Sequence, residues 1–400
     1  MCDIALGTDT LGSVRIPAAC CGVFGMKPTF DAISTKGVLH LAKSFDTVGW
    51  FAKDAALLRQ VGKVLLEENY DREPERPSKI LIAQDLFQAC EPQEYAHILE
   101  EVARLGASRF LGSSNIAQVK VDNFLTKQVA ELKALRRDSN DNSVDAVLVA
   151  GRRKLLYEAA REFKGFYEKA NKGKISATVK RMIEASLSFA SSRENLTDEE
   201  DAIETLGKVF NDALSKGKVL ILPTLALPPV KRNATAQVLD PWREQVFRLT
   251  MLASATGLPQ VSIPIGLWDK KIPLSISLIG ARGSDLLLLD AAHELSPIME
   301  ECLRKVGTTL NQKDSSTSSS MFYKNKGNAS FRNENYVEAI QFYSQGIATD
   351  ETNPLLYSNR AMAYLKLGNF VEAERDCSTA LQLDPSNVRK RETETETERE

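Results

Sequence analysis

Ser13 directly follows Gly12, with the acid Asp9 before it and the base Arg15 after it. A serine placed after glycine can turn both its hydroxyl and its backbone N–H toward a pocket. Such a pattern points to a nucleophile beside a nest of backbone donors able to receive an oxyanion. Gly7, Gly22 and Gly25 fall in the same stretch, 4–29, and permit turns that a Cβ would block. The phosphate-cradling patterns GxxxxGK[ST] and GxGxxG do not occur in it. A serine hydroxyl attacks only when a base takes its proton, and very little chain lies ahead of Ser13 to supply one.

Other reactive side chains are dispersed. The six cysteines, at 2, 20, 21, 90, 302 and 377, form no CxxC pair, and His40, His97 and His293 are far apart. Neither a metal site nor a cofactor is expected from such spacing. The thiols read as reduced, with Cys20 and Cys21 as core packing. His40 is assigned no role, and Arg152, Arg153 and Lys154 read as a solvated helix start.

The elements that must carry Ser13 follow from periodicity. Met1-Cys2-Asp3 leads into an apolar strand-like segment ahead of the serine turn, and 30–53 read as loops and short strands. Asp54 is placed to cap a helix with the apolar face Leu57, Leu58, Val61, Val64 and Leu65. Strands are predicted at 79–83, 219–224, 261–266 and 274–280. Helices are predicted at 92–105, at 243–256 ending on Gly257, and from Asp285 to about 305. Thr197-Asp198-Glu199-Glu200 reads as a capping box opening a helix to about 215, with Gly217 as a stop. Strands alternating with helices predict an α/β fold, a mixed sheet covered by helices.

A length of 400 residues allows two or three domains. With 43% hydrophobic and 26% charged residues the composition is that of an ordinary globular protein. A net charge of -2 gives no reason to expect nucleic acid or an anionic membrane as a partner. No apolar run approaches the ~18 residues that a membrane span needs, and residues 1–20 lack the pattern of a signal peptide. Because the chain opens in the middle of a motif, an N-terminally incomplete protein is the expectation.

Residues 309–320 are serine-rich and read as a flexible linker that ends a first domain, 1–308. Beyond it Tyr323, Gly327, Ala339 and Tyr343 recur in kind as Tyr357, Ala361, Ala373 and Cys377, each 34 residues on. That period, with small residues at these positions, is the signature of the tetratricopeptide repeat, an all-α hairpin. Two repeats are predicted over 321–388. The Glu/Thr tail 389–400 has no apolar face to bury and is expected to be disordered.

Gly7-Thr8-Asp9-Thr10-x-Gly12-Ser13-Val14-Arg15-Ile16-Pro17-Ala18 closely resembles the nucleophile segment of the amidase signature family. So do Gly22-x-x-Gly25-x-Lys27-Pro28-Thr29, Asp46-Thr47-Val48-Gly49, Leu222-Pro223-Thr224, Gly257-Leu258-Pro259 and the 273–280 strand. The resemblance implies hydrolysis of small amides through a Ser–cis-Ser–Lys triad. Ser13 would be the nucleophile, the N–H groups of Thr10, Leu11, Gly12 and Ser13 the oxyanion hole, and Asp9 with Arg15 a structural brace. Leu11 stands where the family usually has glycine, and the lysine and cis-serine belong to upstream segments this chain lacks. An inactive amidase-like domain is therefore expected.

An amidase-like domain followed by tetratricopeptide repeats resembles a plant family of preprotein receptors. These are accessory to the Toc translocon of the chloroplast outer envelope and have a mitochondrial outer-membrane paralogue. The resemblance implies a cytosol-facing receptor whose partners are translocon subunits and the acidic C-terminal tails of heat-shock chaperones. Contact with the membrane would run only through a missing N-terminal anchor, and nucleic acid would not be a partner. Lys324, Asn328 and Asn359 match the clamp positions that hold a chaperone's terminal carboxylate. An ammonium and two amides can donate several hydrogen bonds to carboxylates. Arg389 falls near the next clamp position, and Thr393 stands where an arginine would complete the set.

Overall fold

The computed structural model describes residues 2–67, 73–136, 141–193, 195–269 and 271–384. It divides into two compact units, Met1–Arg304 and Lys305–Glu400.

The first unit is built on one mixed sheet. Its strands are β1 (Ile4–Asp9), β2 (Phe24–Lys27), β3 (Thr47–Ala52), β4 (Lys79–Ala83), β5 (Ile116–Val119), β6 (Lys218–Pro223), β7 (Gln260–Trp268) and β8 (Ile272–Ile279). They lie in the order β1-β3-β2-β7-β8-β6-β4-β5. β4 runs parallel to β5 and β6, while every other pairing is antiparallel. Val219, Leu220, Ile221 and Leu222 of β6 are all buried, as expected for a strand covered on both faces. Leu220 and Leu222 join a core with Phe210, Val147, Met251 and Leu252 from helices Thr197–Leu214, Ser143–Lys169 and Ala236–Thr256. A second group of helices meets through small residues. A Cβ on Gly62 of helix Ala55–Leu65 would sit 2.4 Å from Leu289 Cδ1, so the backbones approach closely there.

Local signals account for most helix ends. Asp54 caps Ala55–Leu65 through Leu57 N at 2.7 Å. Gly257 (φ 67°) closes Ala236–Thr256 in the left-handed region. The capping box expected at Thr197 does not form. Thr197 is already helical, and both its N–H and its hydroxyl turn back to Asn195 Oδ1, at 3.3 and 3.1 Å. A true capping box forms instead between Asn142 and Asp145. Glu199, within the Thr197–Glu200 stretch, is buried between Arg153 and Arg193 at 3.0 and 3.2 Å. Two helices begin or end beyond their expected bounds. One spans Ala236–Thr256 with Pro241 inside it, and the other spans Gln93–Leu111.

The helix opened by Asp285 does not stop near 305. It extends to Arg332, so 309–320, expected as a linker, lies within helical bounds. The second unit contains the end of this helix, then Tyr336–Thr349, Pro354–Lys366 and Phe370–Leu383. Ala339, Tyr343, Leu356 and Ala363 form its core. A Cβ on Gly327 would lie 2.4 Å from the Tyr343 ring, which explains the small residue at that point of the period. The tail 389–400, together with Arg389 and Thr393, falls outside the described residues.

Candidate catalytic loop and peptide groove

β1 ends at Asp9, and the chain turns through 10–14 into helix Arg15–Cys21. Gly12 makes the turn at φ 131°, where a Cβ would lie 2.7 Å from Ile16 Cδ1 and 2.9 Å from Thr250 Oγ1. Asp9 and Arg15 are both fully buried. Asp9 Oδ2 accepts from the backbone N–H groups of Val14 and Arg15 at 3.0 and 3.2 Å. Arg15 Nε and Nη2 reach the two carboxylate oxygens at 3.0 and 2.7 Å. Arg15 further donates to Thr250 O and Ser254 Oγ, each at 2.8 Å, and to the side-chain oxygen of Gln260. All five guanidinium N–H groups are thereby used. Burial alone would raise the Asp9 carboxyl, but the Arg15 charge and hydrogen bond, with Lys27 beyond, hold it below the usual carboxylate range. The pair fixes the loop from beneath and has no donor left for a substrate.

Ser13 itself is exposed, and no described residue hydrogen-bonds its hydroxyl. The Leu11 carbonyl is held by Thr250 Oγ1. Among the described residues the N–H groups of Leu11, Gly12 and Ser13 have no acceptor. The Thr10 hydroxyl donates to Asp46 Oδ1 at 2.6 Å. The other Asp46 oxygen accepts from Leu41 N at 2.8 Å and Ala42 N at 3.1 Å, with His40 Nδ1 at 3.1 Å. Asp46 thus ties the serine turn to the 40–46 loop, and His40, assigned no role from sequence, is part of the tie.

Lys27 is buried behind the loop. Its ammonium nitrogen donates to Pro28 O at 2.9 Å and Leu258 O at 3.0 Å. Burial, reinforced by the Arg15 charge, pushes it down to about 7. Thr29 is held by Asp285 through its N–H at 2.7 Å and its hydroxyl at 2.6 Å, joining β2 to the helix opened by Asp285. Thr224 and Ser277 share a buried hydroxyl contact at 2.8 Å. The Gly22–Thr29 and Leu222–Thr224 motifs carry these residues, and only the fold reveals their partners.

In the second unit, Lys324 and Asn328 lie one turn apart on a helix. Asn328 Oδ1 accepts from Tyr343 OH at 2.8 Å and from Asn359 Nδ2 at 3.0 Å. Two asparagines 31 positions apart are thus joined. A groove of about 390 Å³ runs along Asn328, Phe331, Arg332, Tyr343, Asn359 and Met362. Lys324 does not line it. Tyr343, read from sequence as a packing position, also orients the asparagine, and Arg332 adds an exposed cation two turns beyond Lys324.

The amidase family model matches residues 1–289, and the tetratricopeptide repeat model matches residues 354–387. Among curated proteins, "Translocon at the outer membrane of chloroplasts 64" of Pisum sativum is 31% identical, the match covering 97% of this chain and 65% of that protein. "Outer envelope protein 64, chloroplastic" of Arabidopsis thaliana is 33% identical over 94% of this chain and 64% of that one. "Amidase 1" of Arabidopsis thaliana is 33% identical over 74% of this chain and 70% of its own length. The chain therefore spans just under two thirds of the two outer-envelope relatives. Among solved structures, a crystal structure of an amidase superposes with a TM-score of 0.58 at 22% identity, covering 74% of this chain and 62% of that one. A 6-aminohexanoate cyclic dimer hydrolase bound to substrate gives a TM-score of 0.53 at 20% identity, covering 74% and 64%. At such identities the likeness is one of fold.

Proposed function

Since this chain belongs to the amidase family and continues into tetratricopeptide repeats, we propose that it is a docking component of a preprotein receptor at the chloroplast outer envelope. The repeat groove takes the acidic C-terminal tail of a cytosolic heat-shock chaperone, and translocon subunits are its other partners. The amidase-like unit serves as a scaffold without turnover. The Asn328–Asn359 contact carries this reading, because it joins two amides that both line a groove beside the Lys324 helix. Neutral amide donors and nearby cations suit a terminal carboxylate better than an apolar ligand. An inactive scaffold fits the Ser13 hydroxyl, which touches no base among the described residues.

The test titrates the 400-residue chain with an acidic peptide bearing a free C-terminal carboxylate, and separately with its C-terminal amide. Binding is expected for the free acid and a loss of at least about tenfold for the amide, the usual scale for a charge-assisted contact. Asn328→Ala or Asn359→Ala should cost a similar factor. Equal affinity for acid and amide rejects the clamp.

A second reading rests on the open N–H groups beside Ser13: a full-length form hydrolyses small amides through the family's Ser–cis-Ser–Lys triad. Comparing amide turnover by the full-length gene product with its Ser13→Ala variant decides between the two, since equal rates remove the enzyme. The outer-envelope relatives include a mitochondrial form, so the mitochondrial outer membrane is the alternative address. Among the described residues no helix is long and apolar enough to cross a membrane.

A further inference from the structure

Helices Ser143–Lys169 and Ala177–Ser191 form a hairpin whose far end differs from the rest of the molecule. Between 161 and 181 there are seven Lys and Arg residues and two acids, in a chain of net charge -2. Arg161, Lys164, Lys169, Lys172, Lys174 and Arg181 are exposed, and Lys180 is half-buried. None of the seven forms an ion pair with a described residue. One of the two acids, Glu162, is taken by Lys43 at 2.7 Å, so it does not neutralise the tip.

Apolar side chains stand among these cations. Phe166 is 56% exposed and Val179 is 42% exposed, one on each arm. The two arms are nonetheless joined near this end. Tyr167, the one residue of its first helix buried after Arg161, donates to Glu184 on the second helix at 2.6 Å. Lys172 covers the Tyr167 ring at 4.5 Å. An exposed Phe costs free energy in water, and unpaired like charges repel; both costs are relieved together at one kind of surface.

We propose that this hairpin tip is a contact surface for anionic phospholipid, with the lysines on the headgroups and Phe166 and Val179 entering between them. The chemistry separates this from other polyanions. Lysine stems with interspersed Phe and Val match an interface that is anionic at its surface and apolar just below. Single-stranded nucleic acid would ask for open aromatic faces along a groove, whereas the Tyr157 and Tyr167 rings are covered by Arg161 and Lys172. None of these residues lines the repeat groove.

The experiment sediments the 400-residue chain with vesicles of phosphatidylcholine alone or with about one-third phosphatidylglycerol, at low and high salt. Binding should appear on the anionic vesicles only and fall at least about tenfold in high salt, because screening shortens the reach of the charges. Lys164→Glu, Lys169→Glu, Lys172→Glu and Lys174→Glu together should abolish it. The same change at the exposed Lys36, Lys127, Lys133 and Lys216 alters net charge equally and should not. Phe166→Ser should weaken binding several-fold without changing its salt dependence. Asn328→Ala should leave vesicle binding intact, so failure here and failure of peptide docking are read separately. Binding to neutral vesicles, equal loss in both quadruple variants, or no vesicle binding overturns the proposal. So does tip-dependent capture of polyuridylate that Phe166→Ser leaves unchanged.

Discussion

Asp9 and Arg15 show how much one buried pair can ask of its surroundings. Removing one partner strands the other charge without water, which costs about 3–5 kcal/mol when the pair is fully buried. Asp9→Asn is therefore expected to lower the unfolding free energy of the first unit by that order. Ser13→Ala, at an exposed site with no partner, should shift it by less than about 0.5 kcal/mol. Equilibrium unfolding of the two variants checks the contrast, and an equal shift would remove the brace from the account. Lys27 makes a prediction of opposite sense. Its folded form gives up a proton near 7, while an unfolded lysine keeps it to about 10.5. Between those values the unfolded chain binds more protons, so stability rises with pH through this window. Below about 7 both states are protonated, and the full cost of burying the cation remains. Lys27→Met should flatten that part of the stability profile, read by thermal melts from pH 6 to 10.

At the scale of elements, charge pairing and edges matter more than composition. Arg360 grips Asp376 with two bonds, at 2.7 and 2.8 Å, and reaches Ser344 Oγ at 2.8 Å. It thereby fastens three helices of the repeat unit. Asp376→Ala leaves a half-buried guanidinium unpaired and should cost about 1–3 kcal/mol by the usual scale for charged hydrogen bonds. Far-UV melting of the variant measures it, and an unchanged melt would show that packing alone holds the helices. β1 is a different case. It lies at the end of the sheet, with Leu6 63% exposed. An apolar edge strand invites association between chains. Leu6→Lys is expected to reduce concentration-dependent self-association in sedimentation velocity, and an unchanged sedimentation profile would locate the sticky surface elsewhere. The basic hairpin belongs to the same scale. Net charge averages it away, because the remainder of the chain is acidic enough to mask it.

For the molecule as a whole, two compact units predict two unfolding transitions. Calorimetry should resolve them, with Asp9→Asn moving one and Asp376→Ala the other; a single transition moved by both would mean the units melt together. What was legible in advance follows from range. The serine turn, the helix caps at Asp54 and Gly257, and the strands at 79–83 and 219–224 depend on neighbours within a few positions, so residue type and spacing sufficed. The 34-residue period was legible because the two helices within a repeat approach closely at small residues, Gly327 against Tyr343 in the first. The burial of Glu199 was not legible because its partners Arg153 and Arg193 come from separate segments. Likewise the Arg15 contacts to Thr250, Ser254 and Gln260 join positions more than 200 residues apart, and no local pattern reports them. The sequence by itself determined the family pattern and the repeat, because both are written in short-range backbone demands. Only the tertiary structure decided that Arg15 has no free donor, that Tyr343 orients Asn328, and that seven cations share one hairpin end. Those outcomes depend on which distant groups compete for the same hydrogen bonds and the same space.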